Sequence, residues 1–410
     1  MDGQGQRDWH WTYQSTRGMK FSDQIKGRMK KYAPDDEFDK FRLLIGSDFR
    51  SRVPPIRSTS VDQLAMCPRF FLWRVRYGLQ RKGAYQGALS IGTYFHMLCE
   101  LAAVTPDAEQ AAQQASIQIE ATRQQLIDAA DAQGILPDGK TIENVIADDE
   151  RNYALAQVMF QIAYRRFFQA PFLTKDDWKV VAVEQVLEAR YREIGTRLRC
   201  KPDVILARES DKSLMIVNYK TTSFSPKMTM ASSPYRFQVW MEHLLTHLTA
   251  PEGWTVRFYL HNVILKTGLR YPAKKYPTWD DYLTAVQTWY EDKHEQNPND
   301  PPLLQDLCAL PAEPMTAEFF TRLQEASRAH HCHPNSARFY RDASACMGKF
   351  TSSPCPFLGL CTSSPLAWAD IIPLQFEQSW REAAEDQQAR DARKIGPSGP
   401  KQARKDALNV

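Results

Sequence analysis

After Pro171 the spacing of apolar residues changes from helical to alternating, and few folds accommodate both halves of such a chain. Alternation places every second side chain on one face of a strand, whereas a helical face repeats every three to four residues. WKVVAVEQVLEARY (178–191), RLRCKPDVILARE (197–209) and KSLMIVNYKTT (212–222) read as three strands, with RESDKS as the turn between the last two. PYRFQVWMEHLLTHL (234–248) returns to a helical period, and WTVRFYLHNVILKT (254–267) reads as a fourth strand. The order helix, three strands, helix, strand predicts an α/β fold with a mixed sheet and helices against it. Upstream, 58–79 reads as a helix interrupted at Pro68 and stopped at Gly78, and 87–104 as a second helix. Residues 107–134, rich in Ala and Gln, and 141–170 complete a helical addition at about 105–170. Residues 268–345 read as helix alternating with loop, including a helix capped by Thr278 or Asp280 and ended by NPNDPP.

A chain of 410 residues with 43% hydrophobic and 24% charged residues can bury a large core. No apolar run approaches the roughly 20 residues that span a bilayer. MDGQGQRDWHWTYQ lacks the apolar segment of a signal peptide, so a cytoplasmic protein with no membrane partner is expected. A net charge of +4 is compatible with nucleic acid without selecting it. Residues 1–57 read as an extension without a defined role, 58–365 as the main domain, and 383–410 as a charged, disordered tail. Four of the eight cysteines, Cys332, Cys346, Cys355 and Cys361, lie close together in sequence. In a reducing compartment this crowding points to metal or cluster ligation, or to buried thiols that share nothing.

Asp203, Asn218 and Lys220 are polar residues on strands otherwise made for burial, and a hairpin would bring them together. A carboxylate and an amide oxygen could hold Mg2+ or Mn2+ while the lysine steadies phosphate charge. An Asp–Lys ion pair at the sheet edge is the other reading of the same residues.

The arrangement resembles the PD-(D/E)XK nuclease superfamily, in particular its RecB-like branch. KPDVI (201–205) is similar to the motif that carries the first metal-binding Asp, here Asp203. NYK (218–220) is similar to the acid-x-lysine motif, with Asn218 where the acid stands. GTYFHMLCE (92–100) resembles the branch's helix with an additional histidine ligand, which maps to His96. YRFQVWMEHL (235–244) resembles the DNA-contacting Gln–x–x–x–Tyr helix: Gln238 matches and Glu242 replaces the tyrosine. MCPRFF (66–71) and CMGKFTSSPCPFLGLC (346–361) resemble the two ends of iron–sulfur nucleases of this branch, which include a CRISPR-associated exonuclease and phage-encoded members. That resemblance implies a 4Fe–4S cluster on Cys67, Cys346, Cys355 and Cys361. Zinc, with Cys332, His331 or His333, is the alternative.

The resemblance implies a restriction-endonuclease-like core that cleaves DNA with Mg2+ or Mn2+, as an exonuclease on single strands or ends. Recombination, repair or phage DNA processing is the implied setting, with a recombination or helicase protein as partner. His96, Asp203, Asn218 and the Tyr219 carbonyl would hold the metal, Lys220 would position water, and Gln238, Thr221 and Thr222 would touch DNA. An amide at 218 brings no charge, which weakens metal affinity by about one to three decades. Glu184 or Glu100 could supply the missing carboxylate. The alternative is a DNA-binding or adaptor protein that keeps the fold with a weakened site.

Overall fold

A computed structural model describes residues 55–81, 91–105, 109–117, 119–120, 124, 141–168, 177–191, 194–231, 237–269, 271, 275–312, 316–331, 355–363 and 368–378. The expected extension before residue 55, the C-terminal tail, Tyr235, Cys332, His333 and Cys346 lie outside the described residues, as does the side chain of His331. The chain forms two compact units, one of which includes residues 56–61 and 83–325 and the other 62–82 and the chain from 326 onward.

In chain order the first elements are α1 (Ser58–Met66), α2 (Pro68–Phe71), a π-helical turn (Leu72–Arg76) and β1 (Leu79–Arg81). Helices α3 (Ile91–Val104) and α4 (Ile142–Phe167) follow. Next come β2 (Lys179–Val183), β3 (Leu187–Tyr191), β4 (Thr196–Cys200), β5 (Val204–Arg208) and β6 (Ser213–Thr222). The chain continues through α5 (Pro226–Ala231), α6 (Phe237–Thr249), β7 (Thr255–Leu265), α7 (Trp279–Gln296), β8 (Leu303–Ala309) and α8 (Ala317–His331). It closes with α9 (Leu358–Thr362), α10 (Trp368–Gln375) and β9 (Phe376–Gln378).

The larger unit is built on a five-stranded mixed sheet of order β2-β5-β6-β7-β8. β6 and β7 run parallel, joined by α5 and α6, and the other neighbours are antiparallel. Met215, Val217, Tyr219, Leu260 and Ile264 join the apolar residues of α3, α4 and α7 in one core. Strand alternation sends Ile216, Asn218 and Lys220, with Tyr259 and His261 beside them in register, to the opposite face. α6 packs on that face against β7 and against the β3–β4 hairpin. No described helix is long and apolar enough to cross a membrane.

Two strands expected to be continuous are broken. Residues 178–191 split into β2 and β3, and 197–209 into β4 and β5, and the pairs enter different sheets. Pro202 has no N–H to offer a ladder, so the second strand cannot run through it. Opposite it, Glu184 turns the chain at φ 49°, a left-handed conformation that disfavours a non-glycine residue by about 1–2 kcal/mol. The two breaks support each other: the Glu184 N–H donates to the Asp203 carbonyl at 2.9 Å, and the Glu184 carboxylate pairs with Lys201. β8, expected as part of a helix-and-loop region, is an edge strand. Most of its residues are half-exposed or exposed, so it lacks the apolar alternation of a half-buried strand.

In the smaller unit, Phe71, Leu72, Trp73, Tyr77, Phe357 and Leu360 share a second core. β1 and β9 pair antiparallel within it, and Gly78 takes the left-handed turn (φ 59°) into β1.

Candidate active site

The break at Lys201–Asp203 leaves Asp203 as the last residue before β5. Continued by one position, the β5–β6 register sets it opposite Asn218. Asp203 is buried, and its Oδ2 accepts the Tyr219 backbone N–H at 2.7 Å. That bond locks the carboxylate against the strand that carries Asn218 and Lys220. Tyr219 points the other way and stacks on Phe168, with ring centroids 5.6 Å apart.

From α3, His96 brings its Nδ1 to 3.6 Å from Asp203 Oδ2. Glu100 lies one turn further along the same face. Burial raises the Glu100 carboxyl above its ordinary range; the Asp203 charge adds to this, and His96 and Lys201 oppose it. Asn218 is buried and Lys220 is exposed at the end of β6. A strand made for burial is expected around the lysine; Lys220 is instead exposed, in register with Val263 of β7. Glu184, read as a spare acid, is engaged with Lys201 across the strand break.

The α6 side holds the residue that sequence reading passed over. Glu242 is buried, at 2% exposure. Its Oε2 accepts the Tyr259 hydroxyl at 2.6 Å and its Oε1 accepts the Gln238 side-chain amide at 2.8 Å. Burial pushes its carboxyl up to about 8; Asp203 raises it too, while Tyr259, Gln238 and Lys220 favour the charged form. In sequence Glu242 stood only as a departure from a Gln–x–x–x–Tyr pattern. Its signal was a carboxylate inside VWMEHLL at the i+4 position from Gln238. Gln238, expected to touch DNA, turns its amide to Glu242. Thr222 is buried, its hydroxyl shared with Thr229 and with the Phe224 N–H; Thr221 is half-buried.

A family model of the PD-(D/E)XK nuclease superfamily matches residues 58–361, from the start of α1 to the last cysteine. The chain belongs to the PD-(D/E)XK nuclease superfamily. A search of curated proteins returned no match. Membership in the PD-(D/E)XK nucleases points to a metal-dependent hydrolase, and members usually use Mg2+ or Mn2+. The donors at this site fit such an ion in kind: a carboxylate, an imidazole and an amide oxygen suit a hard divalent cation. Two further carboxyls, Glu100 and Glu242, feel the charge of Asp203, an accumulation that a cation would relieve. Among the described residues, no three His, Cys, Asp or Glu side chains converge as a ligand set.

The same holds in the smaller unit. Cys67 is buried immediately before α2. Cys355 and Cys361 pack against the core that contains Phe71, Phe357 and Leu360. Phe70 and Phe357, neighbours of these cysteines in sequence, meet edge to face at 5.4 Å. Cys355 and Cys361 therefore border the core to which α2 contributes Phe71, and Cys67 is buried at the start of α2, without a ligand set forming among the described residues.

Proposed function

We propose that this protein is a Mg2+- or Mn2+-dependent deoxyribonuclease of the RecB-like branch that acts as an exonuclease on single strands or DNA ends. The observation that carries the reading is the gathering of His96, Asp203, Asn218 and Lys220 at one end of β6, on elements far apart in sequence. His96, Asp203, Asn218 and the Tyr219 carbonyl would hold the ion. The chemistry it would supply when bound is polarisation of a phosphate oxygen and a more nucleophilic water near neutral pH. Lys220, exposed where a phosphate would arrive, orients water and offsets the charge that grows on phosphate oxygen. Asp203, fixed by the Tyr219 N–H, keeps its geometry without needing the substrate.

A preference for unpaired DNA is supported by Phe224. It is 74% exposed two residues beyond Thr222. Its turn is ordered by its own N–H bond to Thr222 and by Ser225, which donates to Asp300 at 2.6 Å. An exposed ring on a fixed turn offers a stacking face to an unpaired base. Processing of DNA in recombination, repair or phage replication, in a bacterial or phage-infected cytoplasm beside a recombination or helicase partner, is the setting this activity suits. Cys355 and Cys361, packed on the core that includes Phe71, and Cys67, buried four residues before Phe71, support a 4Fe–4S cluster on Cys67, Cys346, Cys355 and Cys361, with zinc as the competing occupant.

The test is digestion of end-labelled single-stranded DNA with Mn2+, with wild type, Lys220→Ala and Asn218→Asp side by side. Cleavage by wild type is expected, falling by about 10²-fold or more in Lys220→Ala. Activity found only in Asn218→Asp would favour the DNA-binding or adaptor alternative.

A further inference from the structure

Asn218 leaves the site one negative charge short, and the structure holds a carboxylate for which the metal ligands named above have no use. Glu242 lies on the face of the sheet to which Asn218 and Lys220 belong, held there by Tyr259. Tyr259 stands beside Ile216 in the β6–β7 register, one alternation before Asn218 and His261. From there Glu242 feels the charges of both Asp203 and Lys220. The two residues read from sequence as replacements are less suited. Glu184 is tied to Lys201. Glu100 belongs to α3, which packs on the face of the sheet opposite that of Asn218.

We propose that Glu242 carries the second negative charge of the cation site, standing behind Asn218 in place of an acid at that position. The inference rests on the nuclease reading and names a residue of the same site. A buried carboxylate is tolerated only when it is paired or hydrogen-bonded. Tyr259 and Gln238 each donate one hydrogen bond to Glu242, which leaves each oxygen a lone pair. A divalent ion beside Asp203 would favour the ionised form through the same Coulomb interaction by which Lys220 favours it. The Gln238–Glu242 pair thus takes a different role from the Gln–x–x–x–Tyr contact with DNA: the glutamine orients the carboxylate.

The experiment is Mn2+ binding by calorimetry on the full chain, with single-stranded DNA cleavage read in parallel. Four proteins are compared: wild type, Glu242→Gln, Asn218→Asp and the double variant. Glu242→Gln is expected to weaken Mn2+ binding by about tenfold or more, and the double variant to regain it. Recovery by a carboxylate moved to 218 reports charge, since a packing role at 242 would not be restored from a neighbouring strand. Should Glu242→Gln fail to fold, Asn218→Asp alone decides. A gain in affinity of less than about threefold means the charge is already present, and a gain of about tenfold or more overturns the proposal. Mn2+ affinity and cleavage in Glu242→Gln equal to wild type would overturn it and leave the nuclease reading standing. A wild type that neither binds Mn2+ nor cleaves would overturn both.

Discussion

Asp203 serves two purposes that one substitution can separate. As a charge it raises the energy of Glu100 and Glu242, which a bound cation would offset. As a hydrogen-bond acceptor it satisfies the buried Tyr219 N–H. Asp203→Ala removes both and leaves that donor unpaired, a loss of about 1–3 kcal/mol. Asp203→Asn keeps an oxygen for the N–H and removes only the charge. Thermal unfolding in chelator should therefore show Asp203→Asn melting at or above wild type and Asp203→Ala melting below it. Neither variant should gain stability on addition of Mn2+, whereas wild type should. A Mn2+-dependent rise in Asp203→Asn equal to that of wild type would remove Asp203 from the site.

At the scale of elements, the β5–β6 hairpin aligns Asp203 with Asn218, and its turn is stabilised electrostatically. Asp211 accepts two bonds from Arg208, at 3.1 and 2.9 Å, and one from Ser213 at 2.6 Å, with Arg257 nearby. The Arg208 hydrogen bonds hold its carboxyl well below the ordinary carboxylate range. A folded-state value below the unfolded one means the unfolded chain binds the proton more readily. The contribution is therefore full above the unfolded value, about 3.9, and is lost as pH falls towards the lowered folded value. Asp211→Asn should destabilise by about 1 kcal/mol at pH 7, since the turn is partly solvated. The difference from wild type should narrow in urea unfolding as the pH is taken below about 4. A difference that stays constant with pH would mean that the turn is held by packing instead of charge.

For the whole molecule, the two units pose separate chemical questions. The larger carries the strand-end site, and the smaller carries Cys67 together with Cys355 and Cys361, the last two packed on its core. Anaerobically purified protein is expected to absorb near about 400 nm and to contain iron. Cys67→Ser and Cys361→Ser should each lose that absorbance and lower the melting temperature. Stoichiometric zinc without visible absorbance would assign the thiols to zinc.

The sequence by itself determined the α/β class, the helix that carries His96 and Glu100 on one face, and the hairpin that brings Asp203 to Asn218. Each rests on local information: a period, a turn composition, a motif a few residues long. It did not determine the break at Glu184, because alternation continues across it and only the pairing into two sheets reveals it; at Pro202 the proline marks the break, but alternation on both sides makes the stretch read as one strand. β8 was hidden for a related reason, since an edge strand buries too little to show a period. Nor did the sequence reveal the role of Glu242, which lies 24 residues beyond Asn218 on a helix that resembles a DNA-contacting one, where it stood only as a replacement for a tyrosine. Its placement against Tyr259, where the charges of Asp203 and Lys220 act on it, depends on the parallel crossover from β6 to β7, which carries α6 over the Tyr259 face of the sheet. Charges meet in space through contacts distant in sequence, so their mutual influence was decided by the tertiary structure alone.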